Sequence, residues 1–523
     1  MIDPARALSA AAALAKATLR PERIDRLPRA LLAMAPWGPS IAGAFAASVG
    51  RYPRATVLTD DRGALSAWQL WVETDSVARA LRQRGVGPGV AVGILARNTR
   101  EFVMAVLGAA KVGADVVYFN TSFAGRELAD VAAREGVQVV VHDDEFDDVV
   151  GQSAGLDTIR GSALAGIAAQ RSFVPLMPTR HAGRQIILTS GTTGRPKGAQ
   201  RTASGSAASV GGLVAVPFRA RDTVLIAAPL FHAWGLAHLS ISIATSSTVV
   251  VHRRFDPEAT LAAIEEHRPG GLVVVPVMLQ RILALADDVL ARYDTSSLRY
   301  IASSGSALGA PLVTAVLERF GPILYNIYGS TEVALATVAT PEDLRTAPST
   351  AGRVALGTTV RILGPDGAEL PPGEVGRVFV GSGAAFEGYT GGGTKESIGG
   401  LMSSGDVGHF DAAGRLFIDG RDDEMIVSGG ENVFPAEVED LLNAHPDIAD
   451  AAVVGVDDED FGQALAAFVV KRPGAKVTKK DVTDHVRAHL ARYKVPRHVL
   501  FRKELPRTAT GKLRKRDLRL PRH

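Results

Sequence analysis

Short, continuous apolar runs alternate with segments of helical period through the first half of the chain. Val90–Leu95 precedes Arg100–Val112, Val137–Val141 and Ile186–Leu188 follow, and Thr223–Ala227 and Leu272–Pro276 lead to Met278–Val289. An apolar run too short for a helix and bounded by turn residues reads as a strand buried on both faces, and apolar positions recurring with helical period read as an amphipathic helix. Their alternation predicts βαβ units and mainly parallel sheets. Over 351–420 the pattern changes to short strands, Thr358–Leu363, Gly376–Val380 and Leu416–Asp419, separated by Gly- and Pro-containing turns, which predicts a small β-rich subdomain. A charged turn at Arg421–Asp423 then opens a separate βαβ-like pattern through Val438–Leu442, Ala451–Val456, Leu465–Val470 and Val482–Leu490. The expected fold is α/β: a large amino-terminal domain, 1–422, of parallel-type sheets with the β-rich subdomain, and a smaller α+β carboxyl-terminal domain, 423–523.

Composition narrows the function classes. A formal net charge of +3 over 523 residues argues against a surface built to wrap nucleic acid. Basic residues gather late, at Lys471–Arg472, Lys479–Lys480 and Arg514–Arg516, where they form either a solvated face or an attraction for phosphates. The chain has no cysteine, which removes disulfides, thiolate metal sites and a cysteine nucleophile, and suits a reducing cytoplasm. No apolar stretch of signal-peptide type opens the Ala-rich start, and Pro36, Gly38, Pro39 and Gly43 interrupt the uncharged stretch 30–50. The uncharged run 224–250 carries His232, His238 and several hydroxyls and reads as buried core. A cytoplasmic protein is expected; peripheral membrane contact and a homodimer are both compatible with the sequence.

The strongest chemical signal is Leu-Thr-Ser-Gly-Thr-Thr-Gly-Arg-Pro-Lys-Gly-Ala at 188–199. Hydroxyls at Thr189, Ser190, Thr192 and Thr193 alternate with Gly191 and Gly194, and Lys197 follows. Glycines let backbone N–H groups approach an anion, hydroxyls add donors, and the lysine adds charge, which together make a polyphosphate cradle. The loop is not a Walker A sequence, because no Ser or Thr follows a Gly-Lys pair. Four further blocks stand downstream: Tyr-Asn-Ile-Tyr-Gly-Ser-Thr-Glu at 325–332, Ser-Gly-Asp-Val-Gly at 404–408 with Gly-Arg at 420–421, Ser-Gly-Gly-Glu-Asn-Val-Phe-Pro at 428–435, and Pro-Arg-Thr-Ala-Thr-Gly-Lys-Leu-Arg-Lys at 506–515.

These five blocks, in this order, resemble the signature motifs of the adenylate-forming superfamily, and within it the AMP-dependent fatty acyl-CoA synthetases. The resemblance implies ATP, Mg²⁺ and coenzyme A as the working small molecules, and a carboxyl-terminal domain that acts as a mobile lid. It implies that Lys512 bridges carboxylate and α-phosphate during adenylation, where a compact ammonium suits the growing negative charge. Glu332 matches the Mg²⁺ ligand, since one carboxylate plus substrate phosphates is typical of that ion. Thr331 matches the α-phosphate donor. Tyr328, Gly329 and Asn326, with Gly305 and Ser306 opposite, match the adenine walls, and Asp406 with Arg421 the ribose site. Asp423 matches the hinge, and Gly429 and Gly430 the edges of a narrow pantetheine passage. His232, in Pro-Leu-Phe-His-Ala-Trp-Gly, matches a wall of the carboxylate site, and it shares no zinc-site spacing with His238.

Substrate choice rests on weaker signals. Relatives that activate amino acids carry an Asp where this chain has His232, so an ammonium would be buried without compensation. No room is visible for the inserted segment of acyl-AMP ligases, which pass the acyl group to a carrier protein. Small side chains at 204–215 and at Ser304–Gly309 leave space for an alkyl tunnel, so a medium- to long-chain fatty acid is expected, with an aryl or other bulky acid as the alternative. Lys512, Glu332 and Asp406 together weigh against a silent binding module on the same fold.

Overall fold

The computed structural model describes residues 25–520 apart from 154, 172–175, 191–195, 203–214, 384, 425, 429–430, 459–461 and 509–510. Among the described residues the strands form four sheets. The first runs Asp157–Arg160, Val137–His142, Ala91–Leu95, Asp115–Tyr118, Arg184–Ser190, Pro196–Thr202, all parallel neighbours except the last pair. The second has a parallel centre of Leu324–Ser330, Tyr300–Ser303, Gly271–Val274, Thr223–Ile226, Thr248–Val250 and Thr56–Asp60. Antiparallel strands close its edges, Gly63–Ser66 at one and Ala334–Ala339 with Arg353–Val354 at the other.

One apolar core joins these two sheets, with helices Ala67–Gln83 and Arg100–Val112 inside it. The second helix shows how the sequence sets its bounds. Thr99 accepts the Phe102 N–H at its start, and Gly113 at φ +75° ends it in the left-handed conformation that glycine adopts without a Cβ penalty. Nearly every residue between is buried, which a helix sandwiched by two sheets requires.

The third sheet, Thr358–Leu363, Gly376–Ser382, Leu401–Phe410, Ser397–Ile398 and Leu416–Arg421, is antiparallel and matches the expected β-rich subdomain. A single 3₁₀ turn, Asp422–Glu424, leads from it to the fourth sheet. There Ile448–Asp458 and Gly462–Lys471 pair antiparallel, and helix Lys479–His489 crosses over to bring His498–Arg502 parallel to Gly462–Lys471. This sheet packs on its own apolar cluster around Val438, Val453, Leu465 and Val482.

Two expectations need correction. The run 272–276 is strand only to Val274, and Pro276 begins a helix, where its fixed φ and missing N–H are tolerated. The segment Met278–Val289 is not one helix: Pro276–Leu283 ends, Ala286 turns to extended ψ 146°, and Asp287–Leu290 starts afresh. Asp287 and Asp288 explain the restart, since acidic residues favour a helix amino terminus. No helix among the described residues is long and apolar enough to cross a membrane.

A charged pair lies within the core. Lys111, whose side chain is 0% exposed, donates to Asp75 Oδ1 at 2.6 Å and to the Trp71 carbonyl at 2.8 Å. Its ammonium lies 3.5 Å from the Trp71 ring centroid. Burial lowers its pKa to about 7, against the pull of Asp75. Removing one partner of such a pair strands the other charge. Lys111→Met should therefore lower the unfolding free energy by about 3 kcal/mol, and Lys111→Met/Asp75→Leu should recover most of it. Urea unfolding of the two variants and wild type at pH 7 checks this; a single variant as stable as wild type would count against it.

Candidate active site

A cleft of about 1990 Å³ opens where strands Gly271–Val274, Tyr300–Ser303 and Leu324–Ser330 end. Crevices at the carboxyl ends of parallel strands are where ligands bind in such sheets. Thr189, Lys197, His232, Gly305, Ser306, Asn326, Tyr328, Gly329, Thr331, Glu332, Asp406, Arg421 and Lys512 all line it, so residues spread over the sequence share one space. Gly191, Thr192, Thr193, Gly194, Gly429 and Gly430 lie outside the described residues. Ser190 ends the strand Arg184–Ser190 and Asp423 sits in the 3₁₀ turn, and their side chains are likewise outside the description.

Asp406 is held from two directions. The Tyr328 hydroxyl donates to its Oδ2 at 2.6 Å, and Arg421 Nη1 donates to its Oδ1 at 2.9 Å. Ser404 Oγ accepts the Asp406 N–H at 3.1 Å. Burial, and then the facing carboxylate, push the Tyr328 phenol well above its ordinary value, so it stays a donor. Each carboxylate oxygen keeps a further lone pair for a ligand's hydroxyls. Asn326 spends one amide N–H on the Thr350 carbonyl at 3.2 Å, which fixes its plane.

Glu332, 9% exposed, receives the Tyr389 hydroxyl on Oε1 and the Ser330 hydroxyl on Oε2, both at 3.0 Å. Ser330 Oγ also accepts the N–H groups of Glu332 and Val333, which fixes the turn. Gly329 is forced by the bulge behind it, because a Cβ there would fall 1.9 Å from the Ala334 carbonyl oxygen. A buried carboxylate with hydroxyl neighbours is a hard oxygen donor set, so it fits Mg²⁺ carried in with nucleotide phosphates.

The sequence reading missed Tyr389 and Arg201. Arg201 donates to the Thr331 carbonyl, its Nε has no partner, and burial lowers its pKa while Glu332 opposes the shift. Its signal was present: it stands four residues after Lys197 on strand Pro196–Thr202, and period two puts both on one face. Tyr389, whose ring centroid lies 5.1 Å from the Lys197 ammonium, sits in a loop with no such pattern.

His232 occupies the cap position of helix Ala233–Ala244 without capping it. Its Nε2 is buried without a hydrogen-bond partner, and burial lowers its pKa to about 4, so the ring is neutral at physiological pH. An orphaned ring nitrogen on the wall of a cleft suits contact with a ligand.

Lys512 reaches this cleft from the carboxyl-terminal unit. Its N–H is tied to Thr508 Oγ1 at 3.1 Å, and Arg507 clamps the loop through the Gly511 carbonyl at 2.7 Å and Asp450 at 2.6 Å. Gly511 has φ +78°, and a Cβ there would lie 2.2 Å from Val277 Cγ1, so the loop's backbone packs directly on helix Pro276–Leu283. Lys515 pairs at 2.9 Å with both Glu424, the last residue of the connecting turn, and Glu439.

Comparison with known proteins agrees with this arrangement. Residues 45–390 match the family model of the AMP-binding enzymes, and 437–512 match that of the AMP-binding enzyme C-terminal domain. Indoleacetate–CoA ligase from Aromatoleum aromaticum is 34% identical over 492 residues, which cover 90% of this chain and 96% of that protein. Feruloyl-CoA synthase from Amycolatopsis is 33% identical, over 89% of this chain and 96% of its own. The o-succinylbenzoate CoA synthetase of Bacillus subtilis, solved with its acyl-adenylate intermediate, superposes with a TM-score of 0.82 at 27% identity, over 92% of this chain and 98% of that one. With its motifs gathered in one cleft and both family models matched in order, the chain belongs to the adenylate-forming, AMP-binding family of CoA ligases, which work with ATP, Mg²⁺ and coenzyme A.

Proposed function

We propose that this chain joins an aromatic or similarly bulky carboxylic acid to AMP, releasing pyrophosphate, and then transfers the acyl group to the thiol of coenzyme A. The observation that carries the choice of acid is the wall beside His232. Phe218, Trp234 and His238 line the cleft as a group of rings, Trp234 and His238 4.3 Å apart and Phe218 and His238 5.5 Å apart. Relatives named for indoleacetate, ferulate and succinylbenzoate support the same class. The fatty-acid expectation rested on small residues at 204–215, of which all but Ala215 lie outside the described residues, and on those of Ser304–Gly309, which line the cleft. One observation still favours an aliphatic acid as second reading. Ala237, Ile241 and Ala244 of helix Ala233–Ala244 line the cleft, as do Met34, Ile41 and Leu283, which adds an aliphatic stretch to its wall.

In this reading Asp406 and Arg421 hold the ribose hydroxyls, and Tyr328 and Asn326 border the adenine. Glu332 holds Mg²⁺, which neutralises phosphate charge when bound. The acid's carboxylate oxygen attacks the α-phosphorus, and pyrophosphate leaves. Lys512, with Thr331, offsets the charge that accumulates there. Neutral His232 borders the carboxylate without adding a competing charge. The thiolate sulfur of coenzyme A then attacks the acyl carbon, and AMP departs. Asp423 lies in the turn about which the carboxyl-terminal unit would swing between the two steps, a motion that serves to clear the thiol's path.

A panel of aromatic and straight-chain acids, each with ATP, Mg²⁺ and coenzyme A, tests the substrate class. Acyl-CoA should form from aryl and arylalkanoic acids with kcat/KM above that for acids of twelve to sixteen carbons, followed by mass. Preference for the alkanoates would reverse the two readings.

A second expectation separates the half-reactions. Lys512→Ala should slow acid-dependent pyrophosphate exchange into ATP by on the order of 10²–10³. Conversion of supplied acyl-AMP to acyl-CoA should be far less affected. An equal loss in both assays would remove Lys512 from a role specific to adenylation.

A further inference from the structure

Arg201 is the last residue but one of strand Pro196–Thr202 and lines the cleft, on the same strand face as Lys197. The strand beneath it is fixed along both edges. One edge pairs antiparallel with Arg184–Ser190. At the other, Gly198 and Gln200 make backbone hydrogen bonds of 2.9 to 3.2 Å with Glu387, Gly388 and Thr390. From this base Arg201 donates across to the second sheet, to the Thr331 carbonyl in the turn that follows strand Leu324–Ser330. Other groups of that turn are tied as well. The Phe386 N–H reaches the Glu332 carbonyl at 2.8 Å, and Ser330 Oγ takes the N–H groups of Glu332 and Val333.

A neutral donor would suffice to hold a carbonyl, and burial works against a guanidinium at this place; the Glu332 carboxylate is the charge that offsets the penalty. The hydrogen bond nevertheless goes to the carbonyl next to that carboxylate. Each Glu332 oxygen, with one hydroxyl from Tyr389 or Ser330, therefore keeps a lone pair. We propose that Arg201 is a positioning residue for the adenylation step: it holds the Thr331–Glu332 turn through the Thr331 carbonyl and sets a permanent positive charge beside Glu332, so that hydroxyl and carboxylate stand in place before the triphosphate arrives. The inference rests on the reading of Thr331 and Glu332 as phosphate-side residues given above. Lysine keeps the charge but presents a compact ammonium in place of a planar fork, so it serves only in part.

Positioning acts on rate more than on affinity, and a misplacement of about 1 Å at a reacting centre costs about 10²-fold. Arg201→Met should therefore lower kcat for acid-dependent pyrophosphate exchange by about 10²-fold, with KM for ATP little changed. Adenosine, which carries no phosphate, should bind this variant as it binds wild type in calorimetry. Arg201→Lys should recover part of the lost rate. Unchanged exchange in Arg201→Met overturns the proposal, and so does a loss that Arg201→Lys does not lessen or that is matched by weaker adenosine binding. If Arg201→Met does not fold, Arg201→Lys decides alone: a lower kcat with KM for ATP and adenosine binding unchanged supports the proposal, and any other pattern overturns it. Thr331→Val and Glu332→Gln are assayed beside these variants. Full exchange in both would remove the phosphate-side reading itself, and this inference with it.

Discussion

The hydrogen bond from Tyr328 to Asp406 ties the large parallel sheet to the antiparallel sheet, and the site's geometry depends on it. Tyr328 belongs to strand Leu324–Ser330, Asp406 to Leu401–Phe410, and Arg421 closes the same carboxylate from the last residue of Leu416–Arg421. The chain leaves the body directly after Arg421. A carboxylate fixed on both oxygens therefore stands at the root of the turn that carries Lys512's whole unit. Loss of the Tyr328 contact would loosen this wall of the cleft and the anchor of the connection together.

A second theme is the use of burial to keep groups neutral where charge would interfere. His232 and His238 are held in the uncharged form by desolvation, and the Tyr328 and Tyr389 phenols are pushed further from ionisation. Positive charge is instead placed at Lys197, Arg201 and Lys512, around the region where phosphates would lie. The cleft thus separates a polar, cation-bearing half from an aromatic half, a division that matches a substrate with one anionic end.

Much of this was legible in the chain. Helix Arg100–Val112 and strand Thr358–Leu363 have the expected bounds, because both are governed by local patterns: a Thr cap and a Gly stop in one, alternation with turn residues in the other. The helix break near 284 was masked, since Ala284–Ala286 are good helix formers and the acidic pair Asp287–Asp288 was the one local sign of a restart. Motif residues converged on the cleft because their spacing reflects fixed strand ends. Tyr389 and Arg201 escaped notice because their relevance lies in what they touch across the fold: Glu332 from a loop, and the Thr331 carbonyl from a facing strand. The identity of the acid was least legible, because it depends on which rings meet behind His232, and sequence order does not state that.

The contact of Gly511 with Val277 has an energetic meaning beyond geometry. A backbone pressed on a single valine methyl gains dispersion over a small patch, and each atom pair contributes only about 0.1–0.2 kcal/mol. Such a contact fixes how closely the loop that carries Lys512 approaches the cleft while adding little binding free energy of its own. A side chain at 511 would push that loop off helix Pro276–Leu283 and carry Lys512 away from the cleft, so the missing Cβ is what permits the approach.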